Sequence, residues 1–223
     1  MKKNIHIIHA HHLIPSLSKQ KLNTVLLKES NSPVEFHSLI KELDTPQKIQ
    51  VFMKEKLKYH HKDTVRAFPD IIRYRQADCF EGGIGFAYPI LLFWGYRPYV
   101  VMLHADHKRD VDHTLIIYRT HDKIGAIAKS SFSMLMDREP IYDTLHDLIN
   151  TYYPHYLSDF EGYVGENTLI GYSDPIDLLP KFGINWFFLK GDNALQNLYD
   201  HFTDNVMCTN YHTHERFLYP PED

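Results

Sequence analysis

Residues 78–94 constrain the fold more than any other stretch of this chain. From Asp78-Cys79-Phe80-Glu81-Gly82-Gly83 through Ile90-Leu91-Leu92-Phe93-Trp94 the segment is apolar on nearly every face, and Gly95 supplies a helix stop. A helix that is hydrophobic all round must have protein packed on all its sides. The run is well short of the ~20 residues that span a bilayer, so it is expected to be the buried central helix of a globular core. Pro89 lies inside it and is expected to kink the helix or end its regular part near Tyr88.

The first turn of that helix carries chemistry. Asp78 is a good N-cap, and Glu81 three residues later completes a capping box. Free backbone N–H groups then surround the Cys79 sulfur. The helix dipole and any neighbouring imidazolium lower a thiol pKa from its free value of ~8.5, so a reactive thiolate is expected. Asp112-His113 heads an apolar strand farther along, which makes His113 the expected base for a Cys79 nucleophile.

Composition bounds the alternatives. The chain has 223 residues, 43% of them hydrophobic, and a net charge of -4, enough for one domain with decorations and without the basic stripe that nucleic-acid binding needs. Its two cysteines, Cys79 and Cys208, are too few for a disulfide framework. No hydrophobic signal core or membrane span is evident, so the expected location is the cytoplasm, with secretion by a specialised apparatus invisible to this reading. Cys208 reads as a buried or incidental thiol rather than a resolving one.

Local patterns give an order of elements. Ile5–Ile14 reads as a peripheral strand. Thr45-Pro46 starts an amphipathic helix through about residue 61, and Phe68-Pro69-Asp70 reads as loop. Residues 99–103, 113–118 and 124–128 are strand candidates rich in Val, Ile and Tyr, the last two joined by a turn at residues 120–123. Glu139-Pro140 is expected to open a helix through about Tyr152. Thr168–Tyr172 reads as a strand and Asp192–Asp204 as a short helix, with the Pro220-Pro221 tail peripheral.

Several of these pieces together resemble the transglutaminase-like superfamily, in a bacterial branch related to thiol peptidases. They are Ala77-Asp78-Cys79 leading a helix, Gly95-Tyr96-Arg97-Pro98-Tyr99 leading a strand, Asp112-His113 leading the next, and Gly125-Ala126-Ile127-Ala128-Lys129-Ser130. Arg138-Glu139-Pro140-Ile141-Tyr142 and Thr168-Leu169-Ile170-Gly171-Tyr172-Ser173 extend the likeness, which spans nearly half the chain. The resemblance implies an α+β, papain-like fold: a central helix carrying the cysteine, packed on an antiparallel sheet, with peripheral helices. It implies a single domain over 1–223, its core at about 45–180, with extensions at 1–44 and 181–223.

It also implies a site. Cys79 attacks an acyl carbon, His113 shuttles the proton, and an acid on the following strand orients the imidazole. That strand, 124–130, carries no carboxylate. Either Ser130 or Ser131 substitutes as a neutral partner, or an acid arrives from elsewhere, or the site is degenerate. Asp112 is the alternative orienter, although neighbouring strand residues point to opposite faces unless the chain bends. Gln76 is either an oxyanion donor or a solvated loop amide, and the Cys79 N–H is the better donor.

The expected activity is acyl transfer on a peptide, isopeptide or amide through a thioester, with a protein or peptide as substrate and no cofactor. A catalytically degenerate papain-like binding or scaffold module is the rival. A zinc site on His104, His107 and His113, or on His6, His9, His11 and His12, is disfavoured, because His104-x-x-His107 lacks a paired second element. Gly82, Gly83 and Gly85 read as positions of close helix packing.

Overall fold

A computed structural model describes residues 34–61, 63–204 and 206–219; the Ile5–Ile14 strand and the Pro220-Pro221 tail lie outside them. The fold is mixed α+β, built on one seven-stranded antiparallel sheet in the order β4-β3-β2-β1-β5-β6-β7. The strands are β1 (Tyr99–Ala105), β2 (His113–Thr120), β3 (Lys123–Ile127), β4 (Arg138–Tyr142), β5 (Leu169–Ser173), β6 (Val206–Asn210) and β7 (Arg216–Tyr219). Among the described residues no helix is long and apolar enough to cross a membrane.

Strand alternation sorts side chains into two layers. Val100, Met102, Ile116 and Tyr118 join a large core with the helices α1 (Val34–Glu42), α2 (Pro46–Lys56), α3 (Phe68–Tyr74) and the central helix. Val101, Leu103, Ala105, Leu115 and Ile117 point the other way, onto α5 (Leu145–Asn150) and Tyr152 and Tyr156. At ~25 cal/mol per Å² of apolar area removed from water, these two clusters are the main favourable term of folding. The helix α6 (Gln196–Thr203) adds Leu198 and Phe202 to the first cluster. The main core thus runs past residue 180, and β6 and β7 continue the same sheet.

The central helix begins at Cys79, has π geometry over Glu81–Ala87 and becomes α4 at Tyr88–Phe93. Tyr88 N–H reaches back to the Gly83 carbonyl, an i→i−5 bond. Pro89, which has no N–H, follows at the change from π to α register, where one donor is skipped. The proline therefore changes the hydrogen-bond register instead of ending the helix. Gly85 brings the helix close to its neighbours: a Cβ there would lie 2.6 Å from the Arg66 carbonyl and 2.6 Å from Ile71 Cδ1.

Other local signals held or failed for identifiable reasons. Thr45 caps α2 by accepting from the Lys48 N–H at 3.3 Å, with Pro46 in the first turn. Phe68-Pro69-Asp70, expected to be loop, opens the helix α3, with Pro69 in its first turn, where a missing N–H is harmless. The helix expected from Glu139-Pro140 is instead the edge strand β4, an allowed place for proline. Only Leu145–Asn150 is helical there, capped by Thr144.

Candidate functional site

Asp78 caps the central helix as its side chain predicts, accepting from the Glu81 N–H at 2.8 Å. Cys79 is half-buried, and its Sγ donates to the main-chain carbonyl of Asp112 at 3.7 Å. The thiol is not activated in this arrangement. Burial pushes its pKa up to about 12, and Asp78 and Asp112 push the same way, against the N–H and hydroxyl of Thr114. The expected low thiol pKa is therefore corrected: burial with two carboxylates nearby outweighs the helix start. Burial also raises the Asp78 carboxyl to about 7, helped by Glu81.

Glu81 does not reach back as a capping-box acid. Its carboxylate is fully buried and pairs with Arg66 through Nε and Nη2, both at 2.9 Å. Thr64 Oγ1 donates to it at 2.7 Å, Arg66 N–H at 2.9 Å, and His60 Nε2 lies 2.7 Å away. Burial would raise the Glu81 pKa, but these partners hold it below the ordinary value. The carboxylate fastens the Cys79 end of the helix to His60, Thr64 and Arg66.

The β1–β2 hairpin supplies the groups facing the thiol. Leu103 pairs with His113 and Met102 with Thr114, so the same hairpin geometry sets His104 across from Asp112. Asp112 Oδ2 lies 2.9 Å from His104 Nδ1, and Oδ1 accepts from the Ala105 N–H at 2.9 Å. His107 Nε2 lies 2.9 Å from the same Oδ1, and the Tyr219 hydroxyl donates to it at 3.3 Å. Burial opposes ionisation of Asp112, but the bonds from His104 and His107 win and hold its pKa down to about 2. The carboxylate only accepts, so His104 carries a proton on Nδ1. The His104 Nε2 is buried and has no hydrogen-bond partner among the described residues.

His113 goes to the other face of the sheet. Its Nε2 donates to the Leu135 carbonyl at 2.8 Å, beneath the second core cluster. The structure does not bring its ring to Cys79, because β2 alternation sends Asp112 and Thr114 toward the helix and His113 away from it. Ser130 accepts from the Phe132 N–H at 3.0 Å, within its own turn, and Ser131 is exposed. Gln76 takes part through its backbone, bridging to Lys58 and accepting from Arg66 Nη2 at 3.3 Å. Asp112 orients an imidazole, but that of His104.

Burial pushes the His113 pKa down to about 4, with the Leu135 bond opposing. Below its ordinary value of 6.5 the unfolded chain takes up a proton that the folded chain refuses, so stability falls as pH drops from 6.5 to about 4. The loss is on the order of 3 kcal/mol, at ~1.4 kcal/mol per unit. Urea denaturation across that range should show it in wild type and a flatter profile in His113→Gln. Equal profiles would remove His113 as the cause.

Two residues of the site escaped the sequence reading. His104 drew notice only as a metal ligand, although it and Asp112 flank the polar turn symmetrically, a signal that hairpin parity makes usable. Tyr59 neighbours the thiol: burial first, then Cys79 and Asp78, raise its hydroxyl pKa well above the ordinary value. Nothing local in the sequence marks it. Among the described residues no group of three or more His, Cys, Asp or Glu is arranged to hold a metal ion. The Cys79 thiol at the helix start and the His104–Asp112 pair meet at the Asp112 residue; no known family model matches the chain and no curated protein matches it.

Proposed function

We propose that the protein is a thiol-dependent acyl-transfer enzyme with a papain-like core, acting on a peptide, isopeptide or amide with Cys79 as nucleophile. His104, not His113, is its base, and Asp112 orients that base. The observation that carries this reading is the double use of Asp112: its carbonyl receives the Cys79 thiol at 3.7 Å while its carboxylate grips His104 Nδ1 at 2.9 Å. Rotation of the thiol away from that carbonyl frees its proton for His104 Nε2, and resting-state geometries of this kind commonly tighten on substrate binding.

In the reaction Cys79 Sγ forms a bond to the acyl carbon as His104 takes the thiol proton. The amide C–N bond then breaks, the leaving nitrogen receives that proton, and the acyl group remains as a thioester. Water or an amine attacks the thioester, passing its proton to His104 and then to the departing sulfur. The Cys79 N–H and the Tyr59 hydroxyl stabilise the oxyanion of each tetrahedral stage.

The test is capture of an acyl group from an activated ester, read by intact mass. Wild type should carry the acyl group on Cys79, Cys79→Ala none, and His104→Ala should acylate ~10²–10⁴-fold more slowly, the scale of general-base catalysis. His113→Gln should acylate like wild type. Absence of any Cys79 adduct, or equal rates for wild type and His104→Ala, would sink the reading. A binding or scaffold module is favoured by one observation, the thiol pKa pushed up to about 12. In that case Cys79→Ala leaves function intact.

A further inference from the structure

We infer that Tyr219, at the end of β7, is a positioning residue that holds the His104–Asp112 pair in its working geometry, which makes the C-terminal strands part of the site. The inference rests on the acyl-transfer reading above. The Tyr219 ring stacks on the His104 imidazole with centroids 3.8 Å apart and planes 28° from parallel. Its hydroxyl donates to Asp112 Oδ1 at 3.3 Å and also contacts His107. One side chain thus covers the face of the imidazole and anchors the carboxylate that grips its edge.

The contact answers a physical problem. Nδ1 alone fixes one atom of the imidazole, and a ring held at one point can tilt or flip, exchanging Nδ1 with carbon and losing the Asp112 bond. A buried Nε2 without a partner supplies no second anchor. An aromatic plane at 3.8 Å blocks out-of-plane motion, and its hydroxyl occupies Oδ1 so that Oδ2 is left to His104. Tyr219 is 2% exposed, and burial first, then Asp112, raise its pKa, so it stays a phenol and a donor.

The sheet delivers this ring. Tyr219 pairs with Val206, β6 pairs with β5, and Gly171 of β5 lies opposite His104. A Cβ at Gly171 would stand 2.6 Å from the Thr209 carbonyl and 2.9 Å from the Phe217 ring. The glycine therefore lets β6 and β7 close down beside His104. The titratable groups around the pair are His107 of the hairpin, Cys79 of the central helix, Tyr156 and Tyr199, and Cys208 and Tyr219 of the last strands.

The experiment compares Tyr219→Ala, Tyr219→Leu and Tyr219→Phe with wild type. Imidazole nitrogen NMR reports the His104 tautomer, and acyl capture on Cys79 is followed from pH 5 to 9. Wild type should keep Nδ1 protonated against Asp112. Tyr219→Ala should mix tautomers, shift the pH midpoint of capture, and slow it by ~10²-fold, the scale of a 1 Å misplacement of a catalytic group. Tyr219→Phe, which keeps the stack, should restore the Nδ1 tautomer and most of the rate. If Tyr219→Ala does not fold, Tyr219→Leu, which fills the space without a ring, decides by the same two readouts. A wild-type tautomer and pH profile in the folded Ala or Leu variant overturns the inference. His104→Ala separates the two failures: if it captures acyl groups as fast as wild type, the acyl-transfer reading falls. If His104→Ala is slow while the Tyr219 variants match wild type, only the role of Tyr219 falls.

Discussion

Replacing Glu81 with alanine is expected to destabilise the protein by ~3–5 kcal/mol, because it strands the buried guanidinium of Arg66 without its counter-charge. The Glu81 carboxylate is 0% exposed and the Arg66 side chain 5%. Both oxygens are engaged, Oε1 by Thr64 and by Arg66 N–H and Nε, Oε2 by His60 and Arg66 Nη2. Against a typical total of ~5–15 kcal/mol, that loss decides whether the chain folds at all. Arg66→Met alone should be costly for the mirror-image reason. The pair Glu81→Leu with Arg66→Met should be far milder than the sum, since replacing both partners of a buried ion pair with apolar groups is often neutral. Urea denaturation of wild type, Glu81→Leu, Arg66→Met and the double variant gives the coupling energy directly, and a coupling near zero would show the network to be incidental.

The same network fixes a direction of pH dependence. Glu81 has a folded pKa below its ordinary 4.5, so its contribution is present above that value and disappears as pH falls through the folded pKa. His113 acts at higher pH, losing stability from 6.5 down to about 4. The two residues therefore make acid unfolding a two-part process, and His113→Gln should remove the upper part alone.

What the sequence made legible, and what it hid, follows from the range of each interaction. The stretches 99–103, 113–118 and 124–128 were readable as strands because branched and aromatic side chains fill a pleated surface on both faces. The Thr45-Pro46 and Asp78 caps were readable because capping is settled within three residues. Glu81 was misread for that same reason: Asp-x-x-Glu is a local pattern, whereas its carboxylate is claimed by Arg66, a partner on a loop upstream. Glu139-Pro140 suits the first turn of a helix and an edge strand equally, and only the neighbour β3, with Gly125 admitting the Arg138 carbonyl and Pro140 nitrogen, decides. The strands β6 and β7 are short and mixed in polarity, so their place beside β5 is tertiary information. Cys79 could be singled out from its helix start. The parity argument that parts Asp112 from His113 also points to His104, but it needs the register in which Leu103 faces His113.

That register makes Asp112→Asn the most direct kinetic challenge to the proposed chemistry. An asparagine keeps the shape and can still accept from the Ala105 N–H, but it removes the negative charge that holds the His104 proton on Nδ1 and stabilises the imidazolium formed when Cys79 gives up its proton. In serine proteases the equivalent change lowers kcat by ~10⁴ with the geometry intact, through the wrong tautomer, and a fall of that order is expected here in the rate of Cys79 acylation. Two effects oppose each other in the resting thiol. Asp112 is among the groups that raise the Cys79 pKa, so Asp112→Asn should lower it and quicken simple alkylation while slowing acyl transfer. Opposite signs in those two assays are the signature of a carboxylate acting through His104. If both rates rise together, Asp112 is only a charge beside the thiol, and the imidazole it grips plays no part in the reaction.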